Sequence, residues 1–261
     1  MMILPFPPLE MMKLVGPTDP ASFDNPTGTP IFPDLPEQAY DRVFDFGSGC
    51  GRLARQLMQQ RKPPSSYRGA DLHAGMVRWC QDNLSRHDPR FEFAHHNVYN
   101  AGFNPDPSLP RFAPLPAEDH AATLVIAWSV FTHTTQQQME FYIREVARIL
   151  DTDGVVVSTW FLFEKKFFPM MQEFQNALYI NDNDPTNATI FDRTWLEDIL
   201  SDAGLHVTKA CPPGLRGYQW VLHLQNKQHG TRVALPEDKA PFGSRRAQLM
   251  TEDPSKIGLP T

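Results

Sequence analysis

The sequence predicts an α/β fold, a doubly wound and mostly parallel sheet of seven strands with helices on both faces. Three observations predict it. From residue 41 to about 225, apolar strand-like runs alternate with segments of helical period. The run 122–128 is apolar almost throughout, as befits a strand covered on both faces. The first run, Val43-Phe44-Asp45-Phe46, feeds three alternate glycines, Gly47, Gly49 and Gly51, and then a helix.

The elements follow in order. Strand one is 42–46 and helix one 51–60, stopped before Pro63-Pro64. Strand two is 67–72. A helix over 74–84 carries Met76, Val77, Cys80 and Leu84 at helical spacing. Strand three is 91–95. The stretch 100–119 holds five prolines and reads as a long loop on the site side. After strand four, 122–128, a helix over 136–150 buries Met139, Tyr142, Ile143 and Val146. A tight turn at 151–154 leads to strand five, 154–161. A helix is expected over 167–179 and another over 194–203, ended by Gly204. Strands six and seven are 206–210 and 218–224.

Composition sets the flanks. The chain has 261 residues, and its 25 prolines crowd outside the middle, so residues 1–40 read as a proline-rich arm or lid and 226–261 as a tail. The compact unit is 41–225. A formal charge of −6 with no long basic run gives no footprint for a nucleic-acid backbone. No secretory leader and no membrane-spanning run is legible, which points to a cytoplasmic protein. Cys50, Cys80 and Cys211 are too widely spaced for a zinc motif, so no metal is expected.

The glycine turn and Asp71 at the end of strand two define a nucleoside site, because a carboxylate there can accept two ribose hydroxyls. A nicotinamide cofactor fits poorly. The third glycine falls one position too early, and Asp45 stands two residues before the first, a poor neighbour for a pyrophosphate. A cationic, amino-acid-bearing nucleoside fits better, and S-adenosylmethionine is such a ligand.

On these residues the chain resembles the class I S-adenosylmethionine-dependent methyltransferases, in a small-molecule subgroup. Asp45-Phe-Gly-Ser-Gly-Cys-Gly51 is similar to that family's glycine motif, and Gly69-Ala-Asp71 to its acidic strand end. Trp128-Ser-Val-Phe-Thr-His133 and the segment 143–154 resemble its later motifs, over roughly 41–225 in all. The resemblance implies S-adenosyl-L-methionine as cofactor. It implies that the turn Gly47-Ser48-Gly49-Cys50-Gly51, with Asp45, lines the methionine end and that Asp71 holds the ribose. Leu72 is implied beside the adenosine, Asn97 and Val98 at the adenine rim, and Trp128 against the cofactor. One departure is Thr152-Asp153-Gly154, where the family has a Pro or Gly pair.

Methyl transfer is an in-line displacement, so alignment and exclusion of water are the enzyme's main tasks. Trp128, Phe131, Trp160, Phe161 and Phe163 are expected near the site, where aromatic faces favour a positive donor. A hydroxyl acceptor needs a base. His133, five residues past Trp128, is the first candidate and Glu164, just past strand five, the second. His133 is equally placed to order a loop, and His95 and His96 read as packing or exposed residues. The leading reading is an enzyme methylating oxygen or nitrogen of a small-molecule acceptor. The alternatives are a protein or peptide methyltransferase and a non-catalytic cofactor-binding scaffold.

Overall fold

The computed structural model describes residues 4–181, 183–213 and 218–236; most of the expected tail, from 237 on, lies outside them. Five parallel strands form the centre: β1 (Arg42–Phe46), β2 (Ser66–Asp71), β3 (Phe91–His95), β4 (Ala122–Ala127) and β5 (Leu150–Phe163). Two antiparallel strands, β8 (Leu205–Cys211) and β9 (Trp220–Asn226), continue the sheet from β5, β9 lying next to it. These seven are the predicted seven.

Two strands were not foreseen. The segment expected as a helix over 167–179 instead makes a short turn at Lys165–Phe167 and runs into β6 (Ala177–Tyr179), which pairs with β7 (Thr189–Asp192). The path reads β3-β2-β1-β4-β5-β7-β6. Phe167, Met170 and Phe174 have the spacing of a helix face, but Pro169 interrupts it and all three are 68–87% exposed. A helix there would have no core to bury its stripe against.

The period of two along each strand sorts side chains onto two cores. Val43, Leu124, Ile126, Val155 and Val157 face helices α2 (Arg52–Met58) and α3 (Ala74–Cys80), while Phe44, Val125, Val156 and Trp160 face α4 (Gln136–Ile149) and α5 (Arg193–Asp202). Burying each of these large apolar groups contributes roughly 1.5–3 kcal/mol. Helix α4 begins with a capping box between Thr135 and Gln138, and α3 runs on into a π turn, Gln81–Ser85.

The predicted tight turn at 151–154 is a bulge inside an unbroken β5. Ala122 pairs with Leu150 and Leu124 with Val155, so the extra residues fall on β5 alone. Arg42 pairs with Asp151, and Asn226 Nδ2 donates to the Asp151 and Thr152 carbonyls. Gly154 serves close approach rather than a turn, since a Cβ there would stand 3.0 Å from the Ala122 carbonyl oxygen.

The arm is packed along the domain. It carries α1 (Leu9–Leu14), whose Met12 is buried with Phe23, Cys50 and Met76. The start of the tail is also ordered: Val233 N donates to Val207 O, and Leu235 is buried. Among the described residues no helix is long and apolar enough to cross a membrane.

Candidate functional site

Because β1–β5 are parallel, Gly47, Asp71, the segment after His95 and Trp128 all lie at one edge of the sheet. The sheet order reverses direction between β1 and β4, and in open α/β sheets that reversal opens a crevice. A cavity of about 520 Å³ lies there. Of the predicted donor residues, Asp45, Gly47, Ser48, Gly49, Asp71, Leu72, Val98 and Trp128 line it, as does His133.

The glycine turn has left-handed backbone at Gly47 (φ 80°) and Gly49 (φ 54°), which side chains rarely adopt. A Cβ on Gly47 would strike Val130, and one on Gly49 would stand 2.6 Å from Val15 Cγ1 of the arm. Asp71 organises the turn. Its Oδ2 accepts from Gly49 N at 2.7 Å and its Oδ1 from His73 N at 2.8 Å, which leaves lone pairs on both oxygens. Burial nonetheless pushes its pKa up.

Asp45 is 1% exposed. Tyr67 donates to its Oδ2 at 2.6 Å, and its Oδ1 has no hydrogen-bond partner. Burial pushes its pKa up to about 7; the Tyr67 hydroxyl and Arg52 oppose that rise and Asp71 adds to it. Ser48 Oγ is likewise buried without a partner. An orphaned carboxylate oxygen beside a turn of exposed backbone suits an ammonium group, and Asp71 suits a vicinal diol. These residues therefore fit an amino-acid-bearing nucleoside.

Three predicted site residues fall outside the lining. Gly51 starts α2 with φ 79°, and a Cβ there would stand 2.5 Å from Leu84 Cδ1. Its smallness serves packing, so Gly51→Ala is expected to cost about 2–4 kcal/mol, combining left-handed strain with overpacking, as a lowered midpoint in urea. Asn97 turns away: its Oδ1 accepts from Asn104 Nδ2 at 3.0 Å, tying down the loop. Glu164 is the counter-ion of Arg193 (2.8 Å) and Lys166 (2.5 Å), and Arg193 is buried. A carboxylate so engaged is not a free base.

The aromatic group also divides. Phe131 and Trp160 stack at 4.3 Å within the core, and of the five only Trp128 lines the cavity, stacked on Phe32 of the arm at 5.9 Å. Sequence reasoning missed other lining residues. His96 is buried with its Nε2 2.8 Å from the Tyr142 hydroxyl, and burial pushes its pKa down to about 4, so the ring is neutral. Ser129 holds φ 58°, fixed by its N–H to Thr159 Oγ1 (2.7 Å) and by the Gln219 amide at its hydroxyl. Lys13 and Arg52 line the cavity, and among the described residues neither side chain makes a hydrogen bond or ion pair, although the Asp45 charge acts on Arg52. The helical spacing of Tyr142 marked it only as a core residue.

His133 sits on a short turn, Phe131–His133, with its Nδ1 3.1 Å from the Thr186 carbonyl oxygen. A carbonyl only accepts, so Nδ1 carries the proton and a neutral ring keeps its lone pair on Nε2. Thr186 lies in the β6–β7 connection and its hydroxyl accepts from Asn100 Nδ2 at 3.1 Å.

Residues 43–154 match the family model described as a methyltransferase domain. Among solved structures, the chain aligns with an S-adenosylmethionine-dependent methyltransferase from Methanosarcina mazei at 16% identity, over 74% of this chain and 98% of that one, with a TM-score of 0.48. It aligns with the magnesium protoporphyrin IX methyltransferase of Synechocystis PCC 6803, solved with S-adenosylhomocysteine, at 16% identity over 71% and 74% (TM-score 0.48). A third match, an O-methyltransferase from neocarzinostatin biosynthesis, has 17% identity over 74% and 51% (TM-score 0.47).

Proposed function

We propose that this chain, whose residues 43–154 match a methyltransferase-domain model, takes S-adenosylmethionine as its methyl donor and methylates an oxygen or nitrogen of a small-molecule acceptor. The observation that carries this reading is that three separate segments wall the cavity. The arm (Lys13 to Gly16), the loop after β3 (Val98 to Phe103) and the segment after β4 (Trp128 to Thr134) wall it together. A polypeptide acceptor needs an open groove. Neither a nucleic acid nor a membrane is part of this reading, and the formal charge of −6 agrees with that.

The donor supplies a methyl group on a positively charged sulfur. Asp45 and the Gly47–Gly49 backbone hold its amino-acid end, Asp71 its ribose hydroxyls, and Leu72 and Val98 pack its apolar faces. Trp128, Val130 and the arm exclude water, which strengthens every charge interaction inside. His133 takes the acceptor's proton through Nε2, while the Thr186 carbonyl fixes the ring.

Incubating the protein with labelled donor and pools of small hydroxylated and amino compounds tests the reading. Label in small molecules supports it; label only in polypeptides, or bound donor with no label transferred, overturns it. Asp45 adds a pH dependence. Its carboxyl is protonated below about pH 7 in the free protein, and an ammonium favours the ionised form. Donor affinity is therefore expected to rise with pH from 5.5 to 7, by up to about tenfold per unit, with proton release in calorimetry. Asp45→Asn is expected to abolish that slope.

A further inference from the structure

Besides the apolar contacts of Met12 and Phe23, one buried side chain ties two separate stretches of the arm to the domain. Arg55, on α2 one turn past the glycine motif, is 1% exposed and spends its guanidinium on the arm. Nη1 donates to the Leu4 and Pro5 carbonyls (3.2 and 2.9 Å), Nη2 to Asp24 Oδ1 (2.7 Å), and Nε lies 3.5 Å from the Phe23 carbonyl. The Phe6 ring lies 3.9 Å from its Cζ. These contacts grip the chain on both sides of α1, before residue 7 and after residue 22. Between the grips, α1 ends at Leu14, and Lys13, Leu14, Val15 and Gly16 line the cavity. Val15 is the residue seated over Gly49.

The charges at this end are complementary to a zwitterion. Asp45 offers an orphaned oxygen; Lys13 and Arg52 line the same cavity, and Arg52 lies within the electrostatic reach of Asp45. Arg52 lies one residue past Gly51, and Lys13 reaches the same cavity from the arm. Among the described lining residues, Lys13 is the cation with no opposing carboxylate, and so the one placed to meet a carboxylate on the donor's amino-acid end.

We propose that Arg55 is a positioning residue for the donor site: by clamping both sides of α1 it holds Lys13 and Val15 against the glycine turn, where Lys13 meets the donor's carboxylate. The arm is thus a fixed wall of the donor site, built from a segment outside the matched methyltransferase domain. The inference rests on the donor assignment above, and it names parts of the site that the glycine motif does not contain. Arginine is required because one planar fork reaches several carbonyls at once, a geometry that lysine does not reproduce.

The test uses S-adenosylhomocysteine as the probe, with calorimetry and limited trypsin digestion. Lys13 is the first basic residue of the chain, so nicking there releases residues 1–13 and reports the arm directly. In the wild type the probe is expected to slow this nick severalfold. Arg55→Gln is expected to weaken probe binding about tenfold or more and to remove the protection, with Arg55→Lys intermediate. Lys13→Met, an exposed change, is expected to weaken binding about fivefold with an unchanged melting temperature. If Arg55→Gln does not fold, Asp24→Ala and Phe6→Ala each remove one contact of the clamp and are expected to raise the dissociation constant severalfold. Folded clamp variants that bind within twofold of wild type with the Lys13 nick still protected overturn the positioning role, and Lys13→Met within twofold overturns the carboxylate contact. A wild type that takes up no probe overturns the donor assignment itself, a distinguishable result.

Discussion

Replacing His133 by glutamine is expected to lower kcat by about 100-fold or more, the usual worth of a positioned general base, while the donor's dissociation constant stays within twofold. The imidazole is fixed at Nδ1 by the Thr186 carbonyl, which leaves Nε2 as the atom able to accept a proton. Glutamine keeps polar reach but has no basic nitrogen. Steady-state rates with an accepted small molecule, paired with calorimetric donor titration, check this; equal kcat in the two proteins removes His133 from the proton transfer. A rise in donor dissociation constant with unchanged kcat would instead make it a wall of the donor site.

Replacing Asp71 by alanine is expected to weaken donor binding by about 100-fold, since two hydroxyl contacts to one carboxylate are together worth about 3 kcal/mol. The effect extends beyond the ribose. Asp71 also holds Gly49 N and His73 N, so its loss frees the glycine turn and the entry to α3 together. A stability loss of about 2 kcal/mol follows, smaller than two charge-assisted bonds would give because removing a buried carboxylate relieves its desolvation. Asp71→Asn keeps an acceptor oxygen and is expected to fall between the two. Calorimetry and urea unfolding on the same samples separate the contributions. Unchanged donor affinity in a folded Asp71→Ala protein would remove the ribose role.

How much of this was legible in the sequence depends on what each residue answers to. Residues 42–46 and 91–95 were read to the residue, because an apolar run with period two, bounded by turn formers, answers to local sterics. The glycine turn and Asp71 were legible because left-handed backbone and a carboxylate at a strand end leave marks in composition. Asn97 and Glu164 misled. Each has the right type beside a strand end, but its orientation is set by a distant partner, Asn104 in one case and Arg193 in the other. His96 was passed over because its neighbour Tyr142 is a helix position 46 residues away, invisible to any local pattern. The helix expected over 167–179 failed for the opposite reason: local spacing was clear, yet no core stands opposite it.

The excursion that replaced that helix has its own bearing on selectivity. It leaves β5 after Phe163, adds β6 and β7 to the sheet beyond β5, and ends at Asp192, which pairs with Phe163 and whose Oδ1 accepts from Lys165 N. With its two ends closed on one another, the stretch 164–192, with its two edge strands, can be exchanged as a cassette without re-threading β1–β5. It points Phe167, Met170 and Phe174 outward and a single carbonyl, that of Thr186, at the imidazole. Grafting a different insert at these two anchor points would retune which acceptors are admitted while the donor cradle, encoded between Asp45 and Trp128, is left as it is.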